Sequence, residues 1–432
     1  MNYNETIKFL YDHLPFYQKI GNQAFKKGLD NIEELCNKLG NPQDAFKIVH
    51  IGGTNGKGSS AHSIASICKE NGLKTGLYTS PHLLDFRERS RVDGKKISKY
   101  YITNFIKNNL TLINKINPSF FEVTLALAFG YFRKQRIKLA IIEVGLGGRL
   151  DSTNIVNPLI TLITNIGLDH QEILGSSLRK IAIEKSGIIK KNSLTIIGEK
   201  QNELVDIFNK KASHFNSKLF YASDIVKINK NEKWNNEFKI QILLFNKIYT
   251  NKIEVKSNYY IKNIPGIVLV SYYILEYYKI KSSNPFVGLS KVKKNTGLIG
   301  RWEILSNKPM IICDICHNVN AFREILIEIN KIKFNKLYFI IGGVKTKNWK
   351  KITSILPSRY IYIVCRPKSP RAIKTNSLAK YLKNNNLNYK VIDNASMSLN
   401  YAKSLAKSDD LIFIGGSIFL VSEILNRWEK EN

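Results

Sequence analysis

The sequence predicts an α/β fold: a phosphate-loop domain on a mostly parallel sheet with crossover helices, then a smaller C-terminal Rossmann-like α/β domain. Three observations predict it. A glycine-rich loop, Gly52-Gly53-Thr54-Asn55-Gly56-Lys57-Gly58-Ser59-Ser60, lies between an apolar strand and a helix. Apolar runs of strand length then alternate with helical segments as far as Ile197. The alternation restarts beyond the polar stretch Lys291-Val292-Lys293-Lys294-Asn295-Thr296-Gly297, which reads as a linker. The expected domains are residues 1–296 and 297–432.

The loop is the organising element. Lys47 to Ile51 reads as its strand and Ser59 to Asn71 as its helix. Glycine lets the backbone approach a ligand and turn N–H groups toward it, and the helix N-terminus adds partial positive charge. Lys57 supplies a full charge, and Ser59 or Ser60 a hydroxyl of the kind that ligates Mg²⁺. This is a nucleotide phosphate cradle. It departs from the common pattern, with Ile51 where the first glycine would stand and Gly58 between Lys57 and Ser59.

Before the loop, residues 1–47 look helical, with Leu29, Ile32, Leu35 and Leu39 at helix spacing and Gly40-Asn41-Pro42 as the stop. After it, Leu73 to Thr79 reads as a strand, and Ser98 to Ile116 and Phe121 to Arg136 as helices. Leu139 to Val144 and Leu159 to Ile166 are apolar runs of the kind buried in parallel sheets. Ser177 to Ser186 reads as a helix and Leu194 to Ile197 as a strand. Within residues 216–256 the alternation of Phe238, Ile240, Ile242 and Leu244 predicts antiparallel strands, and Pro265 to Tyr278 a helix. In the second domain, strands are expected near 310–314, 336–342, 359–364 and 410–414.

Composition narrows the class. The chain has 432 residues, 44% hydrophobic and 23% charged, which fits a two-domain globular protein. No leader-like or membrane-spanning run is visible, so the cytoplasm is the expected location and no membrane partner is expected. The net charge of +32 suits anionic ligands, but Lys and Asn are scattered along the chain rather than gathered, so no nucleic-acid partner is expected. Five widely spaced cysteines argue against a disulfide framework. Cys313-Asp314-Ile315-Cys316-His317 matches a haem-attachment spacing, but Cys313 ends an apolar strand and should point into a core.

Ligands of open α/β sheets bind beyond the carboxyl ends of the strands. Four polar groups fall there: the glycine loop, Ser80-Pro81-His82, Glu143 and Asp169-His170. Glu143 alone reads as a structural acid and His170 alone as a helix cap. Their joint placement near a phosphate cradle points to Mg²⁺.

At this point the chain resembles the folylpolyglutamate synthase and dihydrofolate synthase branch of the Mur ligases. The resemblance rests on Gly53 to Ser59, Thr79-Ser80-Pro81-His82-Leu83, Phe121-Glu122-Val123-Thr124, Glu143 to Asp151, Gly167-Leu168-Asp169-His170 and Glu184 to Lys190. Gly300-Arg301-Trp302 and Asp314 to Asn318 carry it into the second domain. Gly52 and Cys316 stand where the family usually has alanine.

The resemblance implies ATP-dependent ligation of L-glutamate to dihydropteroate and to folates through an acyl phosphate, with ATP and Mg²⁺ as cofactors and a monomeric enzyme. It implies that Thr54, Asn55, Gly56, Lys57, Gly58 and Ser59 hold the phosphates, and that Arg301 and Asp314 bind nucleotide from the second domain. It gives Ser80, Glu143 and His170 as Mg²⁺ ligands, with Ser59 a weaker one, and His317 at the transferring phosphoryl group. His82, Glu122, Leu150, Asp151 and Ser152 fall on the pterin side, and Lys185 at the position of a carbamylated lysine. Bland roles compete: Glu122 and His317 as helix caps, Arg301 as an ion-pair partner, Lys185 paired with Glu184. The rival functions are a cell-wall Mur ligase, a small-molecule kinase and a basic nucleic-acid-binding NTPase.

Overall fold

A computed structural model describes residues 1–16, 21, 28–234, 237–255 and 257–431. The chain forms two compact units, one of Met1–Lys256 with Tyr260–Leu298 and one of Ser257–Tyr259 with Ile299–Asn432. The chain thus enters the second unit briefly at Ser257–Tyr259 before returning.

The first unit is built on a sheet of eight strands in the order β4-β3-β2-β5-β1-β6-β7-β8. These are β1 (Lys47–Gly52), β2 (Thr75–Tyr78), β3 (Ser90–Val92), β4 (Lys95–Lys96), β5 (Leu139–Glu143), β6 (Ile160–Ile163), β7 (Leu194–Ile197) and β8 (Lys218–Tyr221). The strands from β2 to β8 in that order run parallel, whereas β3 and β4 form an antiparallel edge. The central strands are buried apart from Lys47 and mostly apolar because helices cover both faces. On one side α1 (Tyr3–His13), α2 (Asp30–Lys38), α4 (Lys99–Ile116) and α5 (Phe120–Lys134) share a core with Ile48, Tyr78 and Ile142. The predicted helical character of residues 1–47 covers α1 and α2; residues 17–20 and 22–27 lie outside the described set.

The loop helix, α3 (Lys57–Glu70), starts at Lys57 rather than Ser59, because Gly56 takes a left-handed conformation, φ 83°, and serves as its N-cap. It is buried from Gly58 to Cys68, so its small polar residues need internal partners. They find them in the segment expected to be a linker. Residues 291–297 instead include α8 (Val292–Thr296), whose Asn295 and Thr296 are buried. His62 Nδ1 lies 2.8 Å from Thr296 Oγ1, and Asn295 Nδ2 donates to Ser66 Oγ at 3.0 Å and Glu70 Oε1 at 2.8 Å. Lys291 pairs with Glu70 at 2.5 Å. Asn295, Thr296 and the Lys291 ion pair thus serve a polar helix–helix interface, while Lys294 and Gly297 face solvent.

The antiparallel expectation for residues 216–256 holds for β9 (Val226–Trp234), β10 (Glu237–Leu244) and β11 (Lys247–Lys252), a three-stranded sheet in the order β11-β10-β9. Residues 218–221 depart from it: β8 is the last parallel strand of the large sheet. Helix α6 (Leu178–Ser186) is capped by Ser177, and α7 (Ile264–Tyr277) begins with Pro265 in its first turn.

The second unit has a six-stranded sheet in the order β12-β13-β17-β14-β15-β16. They are β12 (Glu303–Asn307), β13 (Met310–Asp314), β14 (Leu337–Ile341), β15 (Ile361–Arg366), β16 (Tyr389–Asn394) and β17 (Leu411–Gly415), all parallel except the antiparallel edge β12. Phe339, Tyr362, Phe413 and Trp349 fill its core with the inner face of α9 (Val319–Ile329). Cys313 and Cys316 are buried free thiols within this unit, and Cys313 lies in β13 as expected.

Candidate active site

The glycine loop leaves β1 at Gly52 and is held to the end of β6. Thr54 N donates to Asn165 O at 2.9 Å, and Asn55 N to Asn165 Oδ1 at 3.0 Å. Asn165 Nδ2 and Thr164 Oγ1 both donate to Asn55 O, at 3.0 and 2.7 Å. Thr54 Oγ1 accepts from Gly167 N at 2.9 Å. Residues 164–167 therefore leave the predicted strand to bracket the loop. Gly53 has φ 136°, and a Cβ there would fall 1.9 Å from Thr164 Oγ1, so only glycine fits. At Gly56 a Cβ would meet Asn263 Oδ1 at 2.4 Å. Asn263 lies just before α7 and is a neighbour of the cradle that its own sequence context does not reveal.

Two lysines converge on the loop. Lys57 Nζ donates to Gly53 O and Thr54 O, each at 3.2 Å. Lys185 Nζ, from the end of α6, donates to Gly53 O at 2.7 Å and is buried. Burial, reinforced by the Lys57 charge, pushes the Lys185 amine down to about 7, although Asp169 and Asp151 oppose the shift. The helix that carries Lys185 is locked against the loop after β5. Arg149 N donates to Glu184 O at 2.9 Å, its guanidinium pairs with Glu184 Oε1 at 3.0 Å, and a Cβ on Gly148 would meet Glu184 O at 2.7 Å. Glu184 is thus committed to Arg149, not to Lys185.

Glu143 ends β5, is buried, and accepts from Ser80 N at 3.0 Å through Oε2. Its Oε1 lies 3.3 Å from where a Gly58 Cβ would stand, which places the carboxylate beside the first turn of α3 and near Ser59. His170 takes a left-handed φ of 50° and sits 3.7 Å from Asp169. Among the described residues no group of three or more His, Cys, Asp or Glu side chains gathers for a metal. The expected Mg²⁺ set, Glu143 and His170 with the Ser80 and Ser59 hydroxyls, has only two such side chains and is oxygen-rich, which fits a small cation that keeps water and phosphate ligands.

Asp151 is buried and holds its own loop, accepting from Leu146 N at 2.7 Å and Thr153 N at 3.0 Å. Burial raises its pKa despite these bonds. Leu150 and Ser152 flank it with partly exposed side chains. Glu122 Oε2 accepts from Ser119 N at 2.6 Å and closes a capping box on α5, the competing helix-cap role. His82 lies between Tyr11 and Arg89, 3.0 Å from Tyr11 Oη and 2.8 Å from Arg89 Nε. Burial and the Arg89 charge push the imidazole down to about 3.

In the second unit, Asp314 is buried at the end of β13. Its Oδ2 accepts from Tyr259 Oη at 2.6 Å and Trp302 N at 2.8 Å, and its Oδ1 from Cys316 N at 2.9 Å. Burial raises its pKa, and Arg301 partly opposes the rise. Arg301 Nη1 is buried and has no partner among the described residues. His317 Nδ1 donates to Ile315 O at 3.0 Å, so a neutral ring carries its lone pair on Nε2. Asn318 caps α9.

A model of the Mur ligase middle domain matches residues 51–269, and one of the Mur ligase glutamate ligase domain matches residues 300–418. The chain is 32% identical over 419 residues to the dihydrofolate synthase/folylpolyglutamate synthase of Buchnera aphidicola subsp. Schizaphis graminum, with 93% of each chain covered. The chain belongs to the folylpolyglutamate synthase/dihydrofolate synthase branch of the Mur ligases. It spans 51% of the bifunctional folylpolyglutamate synthase/dihydropteroate synthase of Haloferax volcanii, at 25% identity. The crystal structure of Thermotoga maritima folylpolyglutamate synthase superposes with a TM-score of 0.81 at 30% identity, covering 100% of this chain and 97% of that one. Mycobacterium tuberculosis folylpolyglutamate synthase, solved with ADP and AMPPCP, gives 0.88 over 99% of both chains; at 23% identity it speaks for the fold. The glycine loop and Glu143 lie at the carboxyl ends of β1 and β5, and Lys185 reaches the loop from α6. Asn263, Tyr259, Thr164 and Asn165 are the neighbours that sequence reading missed.

Proposed function

We propose that this Mur ligase joins L-glutamate to dihydropteroate and, in further rounds, to folates, using ATP. The observation that carries the reading is the convergence of the glycine loop, Lys57, Lys185 and Glu143 at one end of the first sheet. The γ-phosphoryl group passes to the substrate carboxylate and ADP leaves. The glutamate amine attacks the acyl carbon, loses a proton and expels phosphate, forming the amide.

Such chemistry needs fixed cations more than a strong base, because charge develops on phosphoryl oxygens. Residues 54–59 and Lys57 hold the phosphates. Glu143, His170, Ser80 and Ser59 would hold Mg²⁺, which supplies charge neutralisation at those oxygens. Lys185 is the carbamylation site. We assign Arg301 and Asp314 to the nucleotide, a role supported by the unpaired Arg301 Nη1, and His317 to the phosphoryl group. His82, Glu122, Leu150, Asp151 and Ser152 are assigned to the pterin side, where Asp151 acts by holding its loop and Glu122 by capping α5.

The resemblance to the family makes a monomer the proposed working form. Among the described residues no helix is long and apolar enough to cross a membrane. The reading places the enzyme in the cytoplasm with no nucleic-acid partner.

ADP release with dihydropteroate, then with tetrahydrofolate, each with and without glutamate, tests the proposal. Glutamate-dependent release with dihydropteroate is expected, and release with both acceptors identifies a two-activity enzyme. No glutamate-dependent release with either acceptor overturns it.

A further inference from the structure

We propose that Tyr11 is a substrate-recognition residue whose hydroxyl, oriented by Arg89 and His82, gives its proton to an acceptor on the flat aromatic head of the pteroate substrate. The proposal rests on the functional reading above, which puts His82 on the pterin side.

The direction of the hydrogen bonds follows from chemistry. Arg89 Nε lies 2.8 Å from His82 Nδ1, and a guanidinium only donates. Nδ1 therefore carries a lone pair, and the ring proton sits on Nε2. That N–H points at Tyr11 Oη, 3.0 Å away, so the phenol oxygen accepts. Its own proton must go elsewhere, and among the described residues Tyr11 Oη has no second partner. The chain Arg89→His82→Tyr11 ends on an outward donor.

The surroundings hold this direction in place. Arg89 is buried and lies over the Phe120 ring, 5.1 Å from its centroid. Tyr11 stacks on the same Phe120 at 5.3 Å and 20°. Phe86 packs edge-on against both His82 and Phe120, and Phe16 packs against Tyr11. Tyr11 itself stays partly exposed. A flat heteroaromatic ring suits an aromatic neighbourhood of this kind, and one fixed donor selects a ring carbonyl or an unprotonated ring nitrogen.

The test is steady-state kinetics of Tyr11→Phe, which keeps the ring and deletes the donor. The KM for dihydropteroate should rise about tenfold, with little change in kcat, in the KM values for ATP and glutamate, or in thermal midpoint. A dihydropteroate analogue lacking the ring carbonyl should lose affinity for the wild type and lose none further in Tyr11→Phe if that carbonyl is the acceptor. An unchanged KM for dihydropteroate in Tyr11→Phe, with normal wild-type turnover, overturns the proposal alone. Nitrogen NMR of His82 should show the proton on Nε2, and a proton on Nδ1 also overturns it. Absence of glutamate-dependent ADP release in the wild type would instead remove the functional reading and this proposal with it.

Discussion

Lys57 and Lys185 share one acceptor, the carbonyl of Gly53, at 3.2 and 2.7 Å. Burial disfavours the charged form of Lys185 most, and the Lys57 ammonium beside the same oxygen adds to it. The Lys185 amine is pushed down to about 7, so a substantial fraction is neutral near neutral pH. A neutral amine can add to carbon dioxide and lose a proton, giving an anionic carbamate of the kind that Mg²⁺ accepts.

Lys185→Ala should therefore lose about 10²–10³ of kcat while remaining folded. A short-chain carboxylate in the buffer should restore part of the rate by standing in for the carbamate. Wild-type rates in the variant, or a native mass without an added carbon dioxide in fully active enzyme, would count against the carbamate.

Lys57→Ala should reduce ligation by a similar factor, about 10²–10³, without a change in thermal midpoint. Lys57 itself is partly exposed, and Gly53 O, one of its acceptors, keeps the buried Lys185 as a donor, so the fold should survive the loss. Near-native turnover in a folded variant would remove Lys57 from the phosphate site.

Gly53→Ala tests the cradle's shape. The new Cβ would stand 1.9 Å from Thr164 Oγ1 at a φ of 136°, so the loop must move and nucleotide binding should fall with stability, by about 3 kcal/mol or more. Gly72→Ala is the control: φ is 72° and nothing lies within 4 Å, so roughly 1–2 kcal/mol of backbone strain is the whole cost. Equal losses by calorimetry in the two variants would refute the close-approach explanation.

His50 gives a pH prediction. It is fully buried beside Thr153 Oγ1 at 2.8 Å, and burial, with the Lys190 charge, pushes it down to about 3. Above the unfolded value of 6.5 both states are neutral, and the contribution to stability is complete. As pH falls from 6.5 toward 3 the unfolded chain takes up a proton that the folded one refuses, and stability drops, by at most on the order of 5 kcal/mol. Urea melts across that window should show this slope in the wild type and a shallower one in His50→Gln. Identical slopes would mean that other groups dominate acid unfolding.

The central parallel strands were legible because they are buried on both faces. Leu139 to Ile142 is an unbroken apolar run, and Leu194 to Ile197 is broken only by the buried Thr195. Edge strands were not: β12 and β16 are half-exposed and polar, so Glu303–Asn307 and Tyr389–Asn394 carry no such run. Residues 291–297 misled in the same way, since a polar composition that normally meets water here meets the buried polar side chains of α3.

By itself the sequence determined the local chemistry: the glycine loop, Lys57, the strand-end Glu143 and the helix that carries Lys185 in its last turn. Each follows from residues adjacent in the chain, whose glycines, caps and apolar runs act over a few positions. Only the tertiary structure decided what those residues face. Asn263 against Gly56, Tyr259 on Asp314, Thr164 and Asn165 around the loop, and Tyr11 on His82 join residues far apart in sequence. Their meeting is set by sheet order and crossover packing, and no local pattern of residues encodes it.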